Sequence, residues 1–132
     1  MTLKAPISWG DLIDRISILE IKVERLAAPA AQANASHELA LLRAVAAEHG
    51  KAPPGLAALC GQLAAVNRRL WDIEDAVRRK EAAKTFDAEF IALARAVYRT
   101  NDDRGRVKRA INTLLGSDII EEKQYVDYRD TE

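Results

Sequence analysis

The chain has 132 residues, 48% hydrophobic and 30% charged, which is the size and composition of one globular domain with a core of its own. Twenty lysines and arginines balance twenty aspartates and glutamates, so no general attraction to nucleic acid or anionic lipid is expected. The single cysteine, Cys60, excludes an intrachain disulfide, and no apolar run is long enough to span a membrane; with no apolar leader in residues 1–10, the cytoplasm is the expected compartment.

Residues 1–7 end in Pro6-Ile7 and read as extended. Ser8 and Asp11 are spaced like a capping box, with Asp in place of the usual Glu, and predict a first helix over residues 9–28 that Pro29 closes. Leu12, Ile16, Leu19, Val23 and Leu26 form its main stripe, with Ile13 beside it, while Ile18 and Ile21 point nearly the opposite way. A helix apolar on two sides lies at the centre of its bundle or at a subunit interface. Glu20 projects between Ile16 and Ile13, inside the main apolar sector. A second helix is predicted over residues 31–49, with Leu39, Leu42, Val45 and Ala46 as its apolar face and Gly50 as its cap. Residues 51–55 hold two prolines and form a turn.

The longest predicted helix, over residues 56–84, is the one the bundle is expected to centre on. Leu56, Leu59, Leu63, Val66, Leu70, Ile73 and Val77 alternate steps of three and four along it. Thr85 or Asp87 caps a fourth helix bearing Phe86, Phe90, Leu93, Ala94, Val97 and Tyr98 on one broad face. Asn101-Asp102-Asp103 predicts a break, then a fifth helix over residues 103–115 using Val107, Ala110, Ile111, Leu114 and Leu115, stopped by Gly116. Ser117 and Glu121 are placed to cap a last short helical segment, from which Ile119, Ile120, Tyr125 and Tyr128 dock, and residues 129–132 are expected to fray. No segment has strand periodicity. The fold class is all-α: residues 1–132 form a single-domain helical bundle of about five helices.

Two groups of residues could carry chemistry. Beside the leucine stripe of the third helix run Cys60, Ala64, Asn67, Trp71, Glu74, Arg78 and Glu81. Their charged part is either an exposed ion-pair ladder or, with Glu20, one wall of a polar pocket. Around residues 101–109, Asn101 lies on the apolar sector of the fourth helix and Arg104 and Lys108 on that of the fifth. Cations in a first turn oppose the helix dipole unless nearby acids or a bound anion relieve them. If these helices share a core, Glu20, Trp71, Glu74, Arg78, Tyr98, Asn101, Arg104 and Lys108 surround one cavity suited to a small phosphate or carboxylate ligand. No metal or other cofactor is expected: His37 and His49 are twelve apart and form no His-Glu-x-x-His pattern. Cys60 has no basic neighbour in sequence and reads as a core residue.

Five strings, beginning Pro6-Ile7-Ser8-Trp9-Gly10, Ile18-Leu19-Glu20, Leu70-Trp71-Asp72, Tyr98-Arg99-Thr100 and Ile111-Asn112-Thr113, together resemble a small bacterial all-helical domain family of unknown function. The family is associated with surface-polysaccharide and glycosyltransferase gene neighbourhoods, and the resemblance implies sugar phosphates or nucleotide-sugars as ligands, with no catalytic residues to carry over. Two functions follow. The first is a non-catalytic helical module that self-associates or docks another protein, favoured by the long stripe, the two-sided first helix and the lack of a catalytic set. The alternative is a binding domain or enzyme for a small anionic metabolite, using the polar pocket. Membranes are not expected as partners, and zero net charge argues against nucleic acid.

Overall fold

The computed structural model describes residues 1–50 and 52–129. Lys51 of the predicted proline turn and residues 130–132 of the tail lie outside the described residues. Four helices are present among them and no strand: α1 (Trp9–Arg25), α2 (Pro29–Glu48), α3 (Leu56–Ala82) and α4 (Ala88–Leu115).

Ser8 caps α1: its Oγ accepts the Asp11 N–H at 3.1 Å. The Asp11 carboxylate does not complete the box; it reaches across to Lys108. α1 ends at Arg25, sooner than expected. Pro29 does not close it but opens α2, at the position where its missing N–H has no intrahelical partner to lose.

α3 and α4 form a long hairpin. Leu63, Leu70 and Ile73 of the α3 stripe are buried and its other four members are half-buried. Asp87, not Thr85, caps α4, its carboxylate accepting the Phe90 N–H at 2.9 Å. α1 lies on this hairpin and packs against both of its helices, whereas α2 packs on α1 alone. The α1–α2 contact is a cluster of Leu19, Ala35 and Leu39, bordered by Ile16, Val23, Leu26 and Leu42. The opposite side of α1 buries Ile21 among the rest of the bundle. The helix at the centre is therefore the shortest one, as its two apolar sides require, and not the long α3.

The expected break at Asn101-Asp102-Asp103 does not occur; the predicted fourth and fifth helices are one helix of 28 residues. These side chains cap a helix only when they turn back onto backbone N–H groups. Here each is engaged elsewhere: Asn101 Oδ1 accepts from Arg104 at 3.5 Å, Asp102 accepts the Tyr128 hydroxyl, and Asp103 pairs with Arg106. Gly116 ends α4 as expected, at φ 65°. The predicted final helical segment is absent. Ser117 is occupied, with its Oγ accepting the Trp9 N–H at 3.4 Å and its hydroxyl donating to the Ile119 carbonyl at 3.0 Å. Glu121 is drawn to Lys108, and residues 117–128 run back along α4 without helix.

The start of α1 approaches α4 closely at Gly10. A Cβ there would lie 2.6 Å from the Lys108 carbonyl oxygen and 2.9 Å from Asn112 Oδ1. The bare Gly10 N–H instead donates to Asn112 Oδ1 at 2.6 Å. Gly10→Ala should lower stability to urea by about 1–3 kcal/mol. Gly61→Ala, on the open face of α3 with nothing within 4 Å of the added methyl, should raise it by up to about 1 kcal/mol. A Gly10→Ala variant as stable as the parent would show that α1 does not sit at this height on α4.

Candidate functional site

The polar residues of the interior collect on one seam. Thr100, Arg104, Lys108 and Asn112 recur every fourth residue of α4, so they form one row. Thr100, Lys108 and Asn112 are buried and Arg104 is half-buried. Gly10, Asp11, Asp14 and Ser17 of α1 face the seam, and Asn67 of α3 closes it from the third side. Asp14, only 3% exposed, is its centre. Arg104 grips it with two parallel hydrogen bonds, Nε to Oδ1 at 2.9 Å and Nη2 to Oδ2. Asn67 Nδ2 donates to Asp14 Oδ1 at 3.0 Å and to Ser17 Oγ at 3.3 Å. One helical turn away, the Lys108 ammonium meets Asp11 Oδ1 at 2.7 Å and Glu121 Oε2 at 2.9 Å.

Burial by itself would raise the Asp14 carboxyl. The hydrogen bonds from Arg104 and Asn67, with the charges of Arg104 and Lys108, outweigh it and hold the group below its ordinary value of 3.8. Burial likewise opposes the Lys108 ammonium, but its bonds to Asp11 and Glu121 prevail and its pKa rises. Arg104 is raised first by its bond to Asp14. The seam is thus ionised and internally matched, and its cations are committed to the chain's own acids.

The residues expected to share one cavity lie in separate places. Asn101, Arg104 and Lys108 do come together, on the seam. Glu20 does not face the interior: its side chain is 42% exposed and meets Arg43 of α2 at 3.1 Å. It lies on the side of α1 that faces α2, and α2 covers that sector only partly, so the expected interior position is not reached. Glu74 and Arg78 are exposed and, with Trp71 and Asp75, edge a shallow hollow of about 170 Å³ on α3. They share a side with the buried Asn67, but α1 covers that side only to about Asp72, where Arg25 bridges to it at 2.6 Å. Tyr98 is on the outside of α4, its ring edge-on to Tyr128 with centroids 4.9 Å apart. Of the partners that matter most, Asp14 and Asn112 were not singled out, Asp11 was read only as a cap and Asn67 only as one member of the second stripe of α3. Their signal was spacing: Gly10, Asp14, Ser17 and Ile21 occupy one side of α1, at steps of four, three and four.

Other chemistry finds little support. The Cys60 thiol is pushed up by burial and by the nearby Glu20 charge, the reverse of what a nucleophile needs. Among the described residues no group of three His, Cys, Asp or Glu side chains gathers as a metal cradle, and no helix is long and apolar enough to cross a membrane.

These features define an all-α domain whose central helix is pinned by a buried ionic seam. The chain belongs to the family of unknown function DUF6165, which it matches over residues 3–131. No curated protein and no solved structure matches it.

Asp14→Asn, which leaves Arg104 without its counter-charge, should cost about 3 kcal/mol of stability, the lower end for a buried pair because the Arg104 side chain keeps 28% exposure. Arg78→Ala, on the open face of α3, should change stability by less than about 0.5 kcal/mol. Because the folded Asp14 value is lowered, its contribution is complete above pH 3.8 and is lost as pH falls through the folded value. Acid titration of urea midpoints should therefore show a shallower decline below pH 4 in Asp14→Asn than in the parent; equal declines would remove Asp14 from this role.

Proposed function

We propose that the domain is a non-catalytic helical interaction module that assembles through the outer face of α4 and the tail folded along it, with a second copy of the chain as partner. The observation that carries this reading is the apolar surface left open there. Ile91 is 58% exposed and Tyr98 43%, two turns apart on one strip of α4. Tyr98, Val97, Tyr125 and Val126 continue it into an open groove of about 620 Å³ against the tail. Phe86, 56% exposed, lies just before α4 near the tip of the hairpin. Surfaces of this kind on a small domain mark contact sites, and a self-complementary pairing about a two-fold axis is the commonest way to cover one.

The interior points the same way. Arg104 and Lys108, which an anion-binding pocket would need free, are neutralised by Asp14, Asp11 and Glu121. The bacterial polysaccharide setting implied by the resemblance would make such a module an assembly part working beside glycosyltransferases in the cytoplasm. At tens of micromolar, light scattering should give twice the 14.6 kDa chain mass. Ile91→Glu should return the mass of one chain without lowering the thermal midpoint, since the side chain is already largely in solvent. A parent protein that stays monomeric would overturn the reading.

A further inference from the structure

We propose that residues 1–7 of one copy dock across the outer strip and groove of α4 in a second copy, so that two arms fill two grooves about the two-fold axis. This rests on the reading of the α4 face as the site of assembly and names the segment that covers it. Every residue of 1–7 is exposed, Leu3 at 82% and Ile7 at 37%, whereas the next residue, Ser8, is buried. The segment therefore leaves the bundle at Ser8 with its side chains in solvent.

Its pattern is that of a chain made to lie on a surface. Pro6 holds itself and Ala5 extended, so little freedom is left to lose on docking. On an extended chain Leu3, Ala5 and Ile7 share one side, and Thr2, Lys4 and Pro6 the other. The alternation is too short to make a strand of the bundle, but it gives the arm one apolar side.

The α4 face matches that side in length, chemistry and need. Leu3 and Ile7 stand about 13 Å apart on an extended chain, and Ile91 and Tyr98 about 10 Å apart on α4. One apolar side chain can lie against Ile91 while the other enters the groove of about 620 Å³ between Val97, Tyr98, Tyr125 and Val126. The Tyr128 ring is already engaged, edge-on by Tyr98 and over its faces by Arg99 and Arg129, and serves only as fixed wall. A stable interface takes about 800 Å² from each partner. Ile91 and Tyr98 alone fall short of that, and the arm and groove supply the difference.

The arm belongs to the second copy because its own groove lies off its course. α1 runs antiparallel to α4, with Gly10 at Asn112 and Asp14 at Arg104. The arm thus leaves beside the last turns of α4, whereas the groove at residues 97–102 lies roughly 20 Å back along the helix. Residues 117–128 already run along that course.

The test is light scattering and thermal unfolding of the full chain, of a variant lacking residues 2–6, and of Leu3→Glu and Ile91→Glu. The deletion and Leu3→Glu should each raise the dimer dissociation constant by about tenfold or more, the loss expected for one buried leucine. Neither should lower the thermal midpoint of dilute, monomeric protein. An equimolar mixture of Leu3→Glu and Ile91→Glu should dimerise at concentrations where each alone stays monomeric, because the intact arm of one meets the intact face of the other. An unchanged dissociation constant in both arm variants would overturn the proposal. So would a mixture that stays monomeric, or a lower midpoint in dilute Leu3→Glu, which would put the arm on its own chain. A dimer broken by Ile91→Glu but not by the arm variants leaves the assembly reading standing and removes this one alone; a monomeric parent removes both.

Discussion

A carboxylate in the middle of the shortest helix, clamped by a guanidinium from the longest, sets the position of everything else in this domain. Asp14 is too buried to remain ionised without partners, and Arg104 and Asn67 supply them from α4 and α3 at once. Such a pair adds little net stability compared with an apolar contact of the same shape. What it adds is register. If α1 slid by one turn along α4, Asp14 would lose Arg104, and the Gly10 N–H would lose Asn112. Apolar stripes of leucine and isoleucine would tolerate that shift far better. The same height on α4 is enforced a second time by the close approach at Gly10.

The remaining parts attach to this seam in order. α2 has no contact with the hairpin and is held only through the apolar side of α1 that faces away from Asp14. The tail is tied to the seam through Glu121 on Lys108 and Ser117 on the Trp9 N–H. Rim pairs such as Arg68–Glu24 and Arg25–Asp72 are largely solvated and contribute little each. Charge inside the bundle cancels locally, whereas apolar residues along the outer strip of α4 stay exposed.

Much of this was readable from residue order, and the limits have physical causes. Apolar periodicity located α1, α2 and α3 because tertiary packing uses the same stripes that the spacing displays. The two-sided pattern of α1 implied a central helix or a subunit interface, and α1 does pack against all three other helices, whereas the long α3, expected at the centre, does not. The single long α4 was misread as two, because Asn101, Asp102 and Asp103 were taken for caps; their actual partners, Arg104, Tyr128 and Arg106, show that a cap-forming residue is free to serve other contacts. The expected interior pocket of Glu20 and Glu74 did not form, because helical phase gives a direction and not a depth of cover. α2 leaves Glu20 at a rim, and α1 stops before it can cover Glu74. Which acid meets Arg104 was not legible, because pairing between helices depends on their relative height, and spacing along one helix carries no information about that. Asp14 and Arg104 are ninety residues apart in the chain.

The central claim is that Asp14 and Arg104 act as one coupled unit that locks α1 to the hairpin. A double-mutant cycle with Asp14→Ala, Arg104→Ala and the double variant, read from urea unfolding at neutral pH, measures that coupling directly. The account predicts that the two losses overlap, with a coupling energy of about 2 kcal/mol. Additive losses with no coupling would contradict it, because the two side chains would then stabilise the fold independently and the seam could not set the register of the helices.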